Sequence, residues 1–114
     1  MMSARARQGF AEALDGHPFN TVDGLEAEVD RGSAVIWSGN ASDVFVRIDR
    51  GVCEAGPAAG DMGEILSWAR PEIEAWAAEI GCTEIHIQAG RVGWAKALAP
   101  YGYEVAAVIL RKKL

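Results

Sequence analysis

The stretch Asp61-Met62-Gly63-Glu64-Ile65-Leu66-Ser67-Trp68-Ala69-Arg70-Pro71-Glu72-Ile73-Glu74-Ala75-Trp76-Ala77-Ala78-Glu79-Ile80, followed by Gly81-Cys82 and then Thr83-Glu84-Ile85-His86-Ile87-Gln88, decides the architecture. In its first part Ile65, Ala69, Ile73, Trp76 and Ile80 recur at steps of three and four, and Leu66 and Trp68 widen the stripe. That period is one face of an amphipathic helix, with Glu64, Arg70, Glu72, Glu74 and Glu79 largely off it. Asp61 is the candidate N-cap and Gly81 the stop. Pro71 removes an amide donor and disfavours helical backbone at Arg70. The helix should therefore kink there, or divide in two with Pro71 in the first turn of the second piece. The second part switches to period two, which puts Ile85 and Ile87 on one face of a strand and His86 on the other.

Upstream of this stretch, Ser33–Ser38 and Asp43–Asp49 read as two strands joined by the turn Gly39-Asn40-Ala41-Ser42. In the second, Val44, Val46 and Ile48 alternate with Asp43, Phe45, Arg47 and Asp49. Arg50-Gly51 turns again, and Val52 to about Ala55 is a third strand that Gly56-Pro57 should break, because proline cannot continue an interior ladder. Two helices precede the strands. The first is capped by Ser3 and ends at about Leu14; the second is capped by Thr21, carries Val22, Leu25 and Val29, and ends at Gly32. Downstream, about Arg91 to Ala99 reads as a helix carrying Trp94, Ala97 and Leu98, stopped by Pro100-Tyr101-Gly102. Tyr103–Leu110 is almost continuously apolar and is expected as a final strand inside the sheet, with Arg111, Lys112 and Lys113 facing water. The order helix, helix, three strands, helix, strand, helix, strand predicts an α/β (α+β) fold. Its expected form is a three-layer α-β-α mixed sheet of about five strands with helices on both faces, and residues 1–114 form a single domain.

The chain has 114 residues, half of them apolar and 24% charged, which suits one soluble domain around one core. A net charge of -5 argues against nucleic-acid binding, which needs a basic surface. No apolar run reaches the roughly 18 to 20 residues of a membrane helix, so no membrane partner is expected. Arg5 and Arg7 are not followed by the apolar core of a secretory signal. The expected location is the cytoplasm, or a virion assembled there. Cys53 and Cys82 are far apart, as are His17 and His86, and no local cluster has metal-ligand spacing. No metal is expected, and both thiols should be reduced.

The segments Gly81-Cys82-Thr83-Glu84-Ile85-His86-Ile87, the helix from Trp94 to Ala99, and Tyr101-Gly102-Tyr103-Glu104-Val105 together resemble the late part of the GNAT superfamily of N-acetyltransferases. More narrowly, Pro71-Glu72-Ile73-Glu74-Ala75-Trp76-Ala77, Gly90-Arg91-Val92-Gly93-Trp94 and Leu110-Arg111-Lys112-Lys113-Leu114 are similar to small GNAT-like proteins of tailed phages and prophages. The resemblance is best over about Asp61 to Leu114 and only architectural before that. It implies a cofactor, acetyl-CoA, whose pyrophosphate lies on backbone amides at a helix N-terminus, usually set by a Gln/Arg-x-x-Gly-x-Gly/Ala loop. The matching place here is Ala58-Ala59-Gly60-Asp61-Met62-Gly63-Glu64. Gly60, Asp61, Met62 and Gly63 would be the cofactor-binding residues. The side-chain pattern is absent, and Asp61 and Glu64 bring carboxylates to where phosphates would sit, with like charges repelling by about 1 kcal/mol even in water.

The resemblance also implies a proton donor for the departing thiolate, often a Tyr four positions before the Gly of the Gly-aromatic pair. Counting back from Gly102 gives Leu98, which donates no proton. Tyr101 and Tyr103 are nearby but out of register, and Tyr101 is the substitute candidate. Glu54 and Glu84 are the carboxylates on strands that a general base would require, Glu54 being the better placed. The bland reading of both is a solvated strand residue, and that of His86 a structural histidine. Arg91, at the C-terminal end of a strand, is a candidate ligand contact or a surface ion-pair partner. Trp76 and Trp94 fit core stripes; Trp37 and Trp68 are expected to be partly exposed, as interface aromatics are.

Two functions follow. The first is a GNAT-like-fold accessory or assembly protein of the phage or prophage type. It would act through protein contacts or self-association, without efficient acetyl-CoA chemistry, needing no cofactor and not being an enzyme. The alternative is a small acetyl-CoA-dependent N-acetyltransferase using the amides of Gly60–Gly63 and a water or Tyr101 as proton donor.

Overall fold

Ser3, Thr21 and Asp61 each start a helix, as their places ahead of apolar periods predict. The Ser3 hydroxyl accepts from the Ala6 amide at 3.1 Å, the Thr21 hydroxyl from Gly24 at 3.1 Å and the Asp61 carboxylate from Gly63 at 3.0 Å. A computed structural model describes residues 1–89 and 92–114. Its elements are α1 (Ala4–Ala13), α2 (Val22–Asp30), β1 (Ala34–Ser38), β2 (Ser42–Asp49), β3 (Val52–Gly60), α3 (Met62–Glu64), a π-helical stretch (Ile65–Ala69), α4 (Arg70–Glu79), β4 (Glu84–His86), α5 (Val92–Leu98) and a 3₁₀ turn (Ala99–Tyr101).

The strands form one mixed sheet in the order β1-β2-β3-β4. β1, β2 and β3 run antiparallel, and β4 is parallel to β3, with Val52 opposite Glu84, Cys53 opposite Ile85 and Glu54 opposite His86. The alternation of β2 divides the core. Val44 and Val46 join Cys53 and Ala55 against Ile65, Ala69, Ile73 and Ala77 on one face. Phe45 joins Ala34 on the other face, against Ala6, Phe10, Leu14 and Leu25. Phe10, Leu25 and Phe45 are fully buried, which stabilises the fold by about 1.5 to 3 kcal/mol each. The result is the expected α-β-α layering.

Three expectations are corrected. Gly56-Pro57 does not break β3. Val44 pairs with Ala58 and Val46 with Ala55, so Phe45 alone faces Gly56 and Pro57. Proline's missing donor falls inside this bulge, where no ladder bond is needed, and the strand continues to Gly60. Arg70 is helical (φ -55, ψ -56), because the preceding π-turn lets its amide bond back to the Ile65 carbonyl, five residues earlier. Pro71 then stands in the first turn of α4, as one of the two sequence readings has it. Lastly, among the described residues the sheet has four strands and not about five. Tyr103–Leu110 forms no strand, and Val105, Val108, Ile109 and Leu110 are 55–91% exposed. An apolar run encodes a strand only when an edge receives it, and pairing of that kind is non-local. Among the described residues no helix is long and apolar enough to cross a membrane.

Candidate functional site

The parallel pair β3-β4 holds together for three residues and then parts. β3 bends away at its bulge while the chain after β4 diverges, and a cleft opens at the C-terminal ends of the two strands. Ala55, Pro57, Ile73, Ile85, Ile87 and Trp94 give it apolar walls, and Leu98, Arg70 and Tyr103 reach it from the helical side. It offers about 60 Å³ to the centres of water-sized molecules, room for about four waters.

The expected cofactor-binding residues Gly60, Asp61, Met62 and Gly63 lie at the end of β3, where a single residue separates strand from helix, and none of them lines that cleft. Each of them already has a structural task or faces solvent. Gly60 has φ +108, and a Cβ there would collide with the backbone of Ala41 and Ser42. It is glycine because β2 and β3 meet closely at that point. The Asp61 amide donates to the Ala41 carbonyl at 2.9 Å, and the Gly63 amide to the Asp61 carboxylate. Met62 is exposed.

Glu64 turns away from the helix end and fastens the β1-β2 turn. It accepts from the Ala41 amide at 3.0 Å and from the Ser42 hydroxyl. These bonds, that of Ser42 foremost, hold its carboxyl below the usual carboxylate range, and Arg5 contributes. Arg5 gives the corner its positive charge, and it is committed within the chain. It forks onto Asp43 at 2.9 and 3.0 Å and donates to the carbonyls of Asn40, Gly39 and Ser42. Asp43 is buried, and burial alone would raise its carboxyl. The hydrogen bonds from Arg5 and Ser38, with the Arg5 charge, outweigh that and leave it lowered. The expected N-cap reading of Asp61 is therefore what the geometry has, and the chain itself takes up the Asp61 and Gly63 amides and the Arg5 guanidinium.

The other sequence candidates are dispersed. Glu54 lies on the sheet face opposite the cleft's apolar wall. It is ion-paired to Arg47 at 2.6 Å, and Arg47 also holds Glu28. Glu84 and His86 share that face, 3.2 Å apart and exposed. Arg91 and Gly90 lie outside the described residues. Leu98 is buried, so the position four before Gly102 is a core position. Tyr101 is half-exposed, with the Arg70 guanidinium stacked 3.8 Å from its ring centre. Trp68 is surface-exposed, while Trp37 packs on Trp76 at 5.4 Å. Among the described residues no group of three His, Cys, Asp or Glu side chains is arranged for a metal.

One cluster escaped the sequence reading. Arg70 ion-pairs with Glu74 at 2.9 Å, and the Tyr103 hydroxyl donates to the same carboxylate at 2.8 Å. Burial, followed by that contact, pushes the Tyr103 phenol well above its ordinary range. The four-residue spacing of Arg70 and Glu74 was visible but looked like a solvated helix face. Only the return of the chain after Gly102 brings Tyr103 onto Glu74, and Arg70 and Tyr103 then line the cleft.

No protein-family model matches this chain, and no curated protein sequence does. Two solved structures are similar over nearly the whole length. An acetyltransferase of Trypanosoma brucei has a TM-score of 0.52 at 15% identity, covering 95% of this chain and 94% of its own. An aminoglycoside antibiotic 6'-N-acetyltransferase of Acinetobacter haemolyticus, in its apo form, has a TM-score of 0.58 at 13% identity, covering 99% and 96%. The chain thus has a GNAT-like fold. At these identities the likeness concerns the fold alone.

Proposed function

We propose that this GNAT-like chain is an accessory or assembly protein, of the kind its short motifs suggest in tailed phages and prophages, that works through protein contacts and not through acetyl-CoA. The observation that carries this reading is the junction after β3, where the chain's own groups already occupy several of the donors. The Gly63 amide is taken by Asp61, the Asp61 amide by Ala41, and the Arg5 guanidinium by Asp43 and three carbonyls. A diphosphate arriving there would have to displace these bonds and would meet the Asp61 carboxylate. Leu98 at the position of the expected proton donor points the same way.

The second reading, a small acetyl-CoA-dependent N-acetyltransferase, is favoured by the apolar cleft between the parting strands and by the two acetyltransferase neighbours. The two readings differ in a thiol-release assay. The protein is incubated with acetyl-CoA and a panel of amines, including an aminoglycoside and a peptide N-terminus, and free thiol is followed. The first reading expects no release above the protein-free rate. Turnover that depends on an amine would overturn it.

A further inference from the structure

The stretch from Tyr103 to Lys113 is the part of the molecule whose chemistry the fold leaves unused. It is held at two points, by the Tyr103 hydroxyl on Glu74 and by Arg111 on the Gly16 carbonyl. Between them Glu104–Leu110 is exposed and, among the described residues, bonded into no sheet. Its residues are those of a strand: Val105, Val108 and Ile109 are β-branched, Leu110 is 91% exposed, and Glu104 is the only charge before Arg111. A run of this kind, exposed and in no strand among the described residues, is a template for pairing with another chain.

We infer that this segment pairs antiparallel with the same segment of a second copy about a two-fold axis at Val108. A two-fold normal to a sheet requires each residue to lie on the same face in both copies. The register must therefore centre on a residue, not between two residues. Centred on Val108, it sets Ala107 opposite Ile109, Ala106 opposite Leu110, Val105 opposite Arg111 and Glu104 opposite Lys112. Apolar residues then meet apolar residues across the middle, and both ends carry an opposite-charge pair. Centring on Ala107 would put Glu104 against Leu110, and centring on Ile109 would put Lys112 against Ala106, so the charges select the Val108 register. The Val105 position lies beside the aliphatic stem of Arg111, which is tolerable for a long side chain. The inference goes beyond the proposed function by naming the partner as this chain itself, and it stands whether or not acetyl-CoA binds.

The test is the mass in solution by light scattering over a range of concentrations, for four proteins whose folding is checked by circular dichroism. The wild type should move from monomer to dimer. Glu104→Lys and Lys112→Glu should each weaken the dimer by about tenfold, since each sets like charges opposite each other twice. An equimolar mixture of those two variants should restore dimerisation, because in the mixed pair both ends again join opposite charges. Val108→Lys should abolish the dimer, and its site is 75% exposed, so the fold should persist. A wild type that stays monomeric throughout would overturn the inference, as would a dimer indifferent to the charge changes or a mixture that fails to recover.

Discussion

Asp43 shows how a single side chain serves the whole upper end of the sheet. It is buried at 2% exposure, accepts from Arg5 and Ser38, and ties α1 to β2. Its folded-state carboxyl lies below the ordinary 3.8. The sign of the linkage follows: the stabilisation is complete above that value and is lost as the pH falls through the lower, folded-state value. Urea midpoints measured from pH 7 down to pH 2 should therefore fall steeply for the wild type below about pH 4, and less steeply for Asp43→Asn. At pH 7 that variant should be less stable by about 2 kcal/mol, the worth of hydrogen bonds to a buried charge, reduced where the half-exposed Arg5 finds water instead. The cysteines give a second residue-level expectation. Burial, then the neighbouring Cys82 and Glu54, push the Cys53 thiol up to about 11. In native protein at neutral pH a thiol-specific disulfide reagent should modify the half-buried Cys82 first, with Cys53 reacting only on unfolding. Equal rates at the two sites would refute that burial.

At the scale of elements, what was legible in the sequence was local. Ser3, Thr21 and Asp61 announced their helices, and the alternation of Val44, Val46 and Ile48 announced β2, because caps and periods are properties of a few consecutive residues. The misjudged features depend on a distant partner. Pro57 looked like a strand-breaker, and only the pairing of Phe45 with two residues makes room for it. Tyr103–Leu110 looked like an interior strand, and only the sheet's registers reveal that no edge among the described residues takes it up. Gly60 looked like part of a phosphate loop because glycine is what such loops use. The structure instead needs it for the close approach of β3 to the Ala41-Ser42 backbone. Gly60→Ala should accordingly destabilise the fold by more than about 3 kcal/mol, since the strain of a positive φ and a backbone collision add, read as a lowered thermal midpoint. A near-neutral effect would mean that the strands do not meet so closely.

For the molecule as a whole, the fold and the candidate site were unequally readable. The layer order and the GNAT-like likeness rest on the sequence of helices and strands, which periodicity reveals. The site's state rests on where the junction's amides, carboxylates and the Arg5 guanidinium send their hydrogen bonds, and Arg5 lies 38 residues from Asp43. The sequence displayed the two carboxylates, Asp61 and Glu64, but not that one caps the helix while the other anchors the β1-β2 turn. Nor did it display the meeting of Arg70, Glu74 and Tyr103, which the chain completes only after α5. A GNAT-like frame is thus joined to a helix entrance where the protein's own groups take up the Asp61 and Gly63 amides and the Arg5 guanidinium, and the fold by itself does not fix the activity.

The most direct measurement is the thermal midpoint of the wild type with and without millimolar acetyl-CoA. A junction already engaged by the chain's own groups predicts no upward displacement of the unfolding curve. A rise of about 10 °C, the order expected for a domain of this size when a ligand is present at about 100 times its dissociation constant, would contradict it.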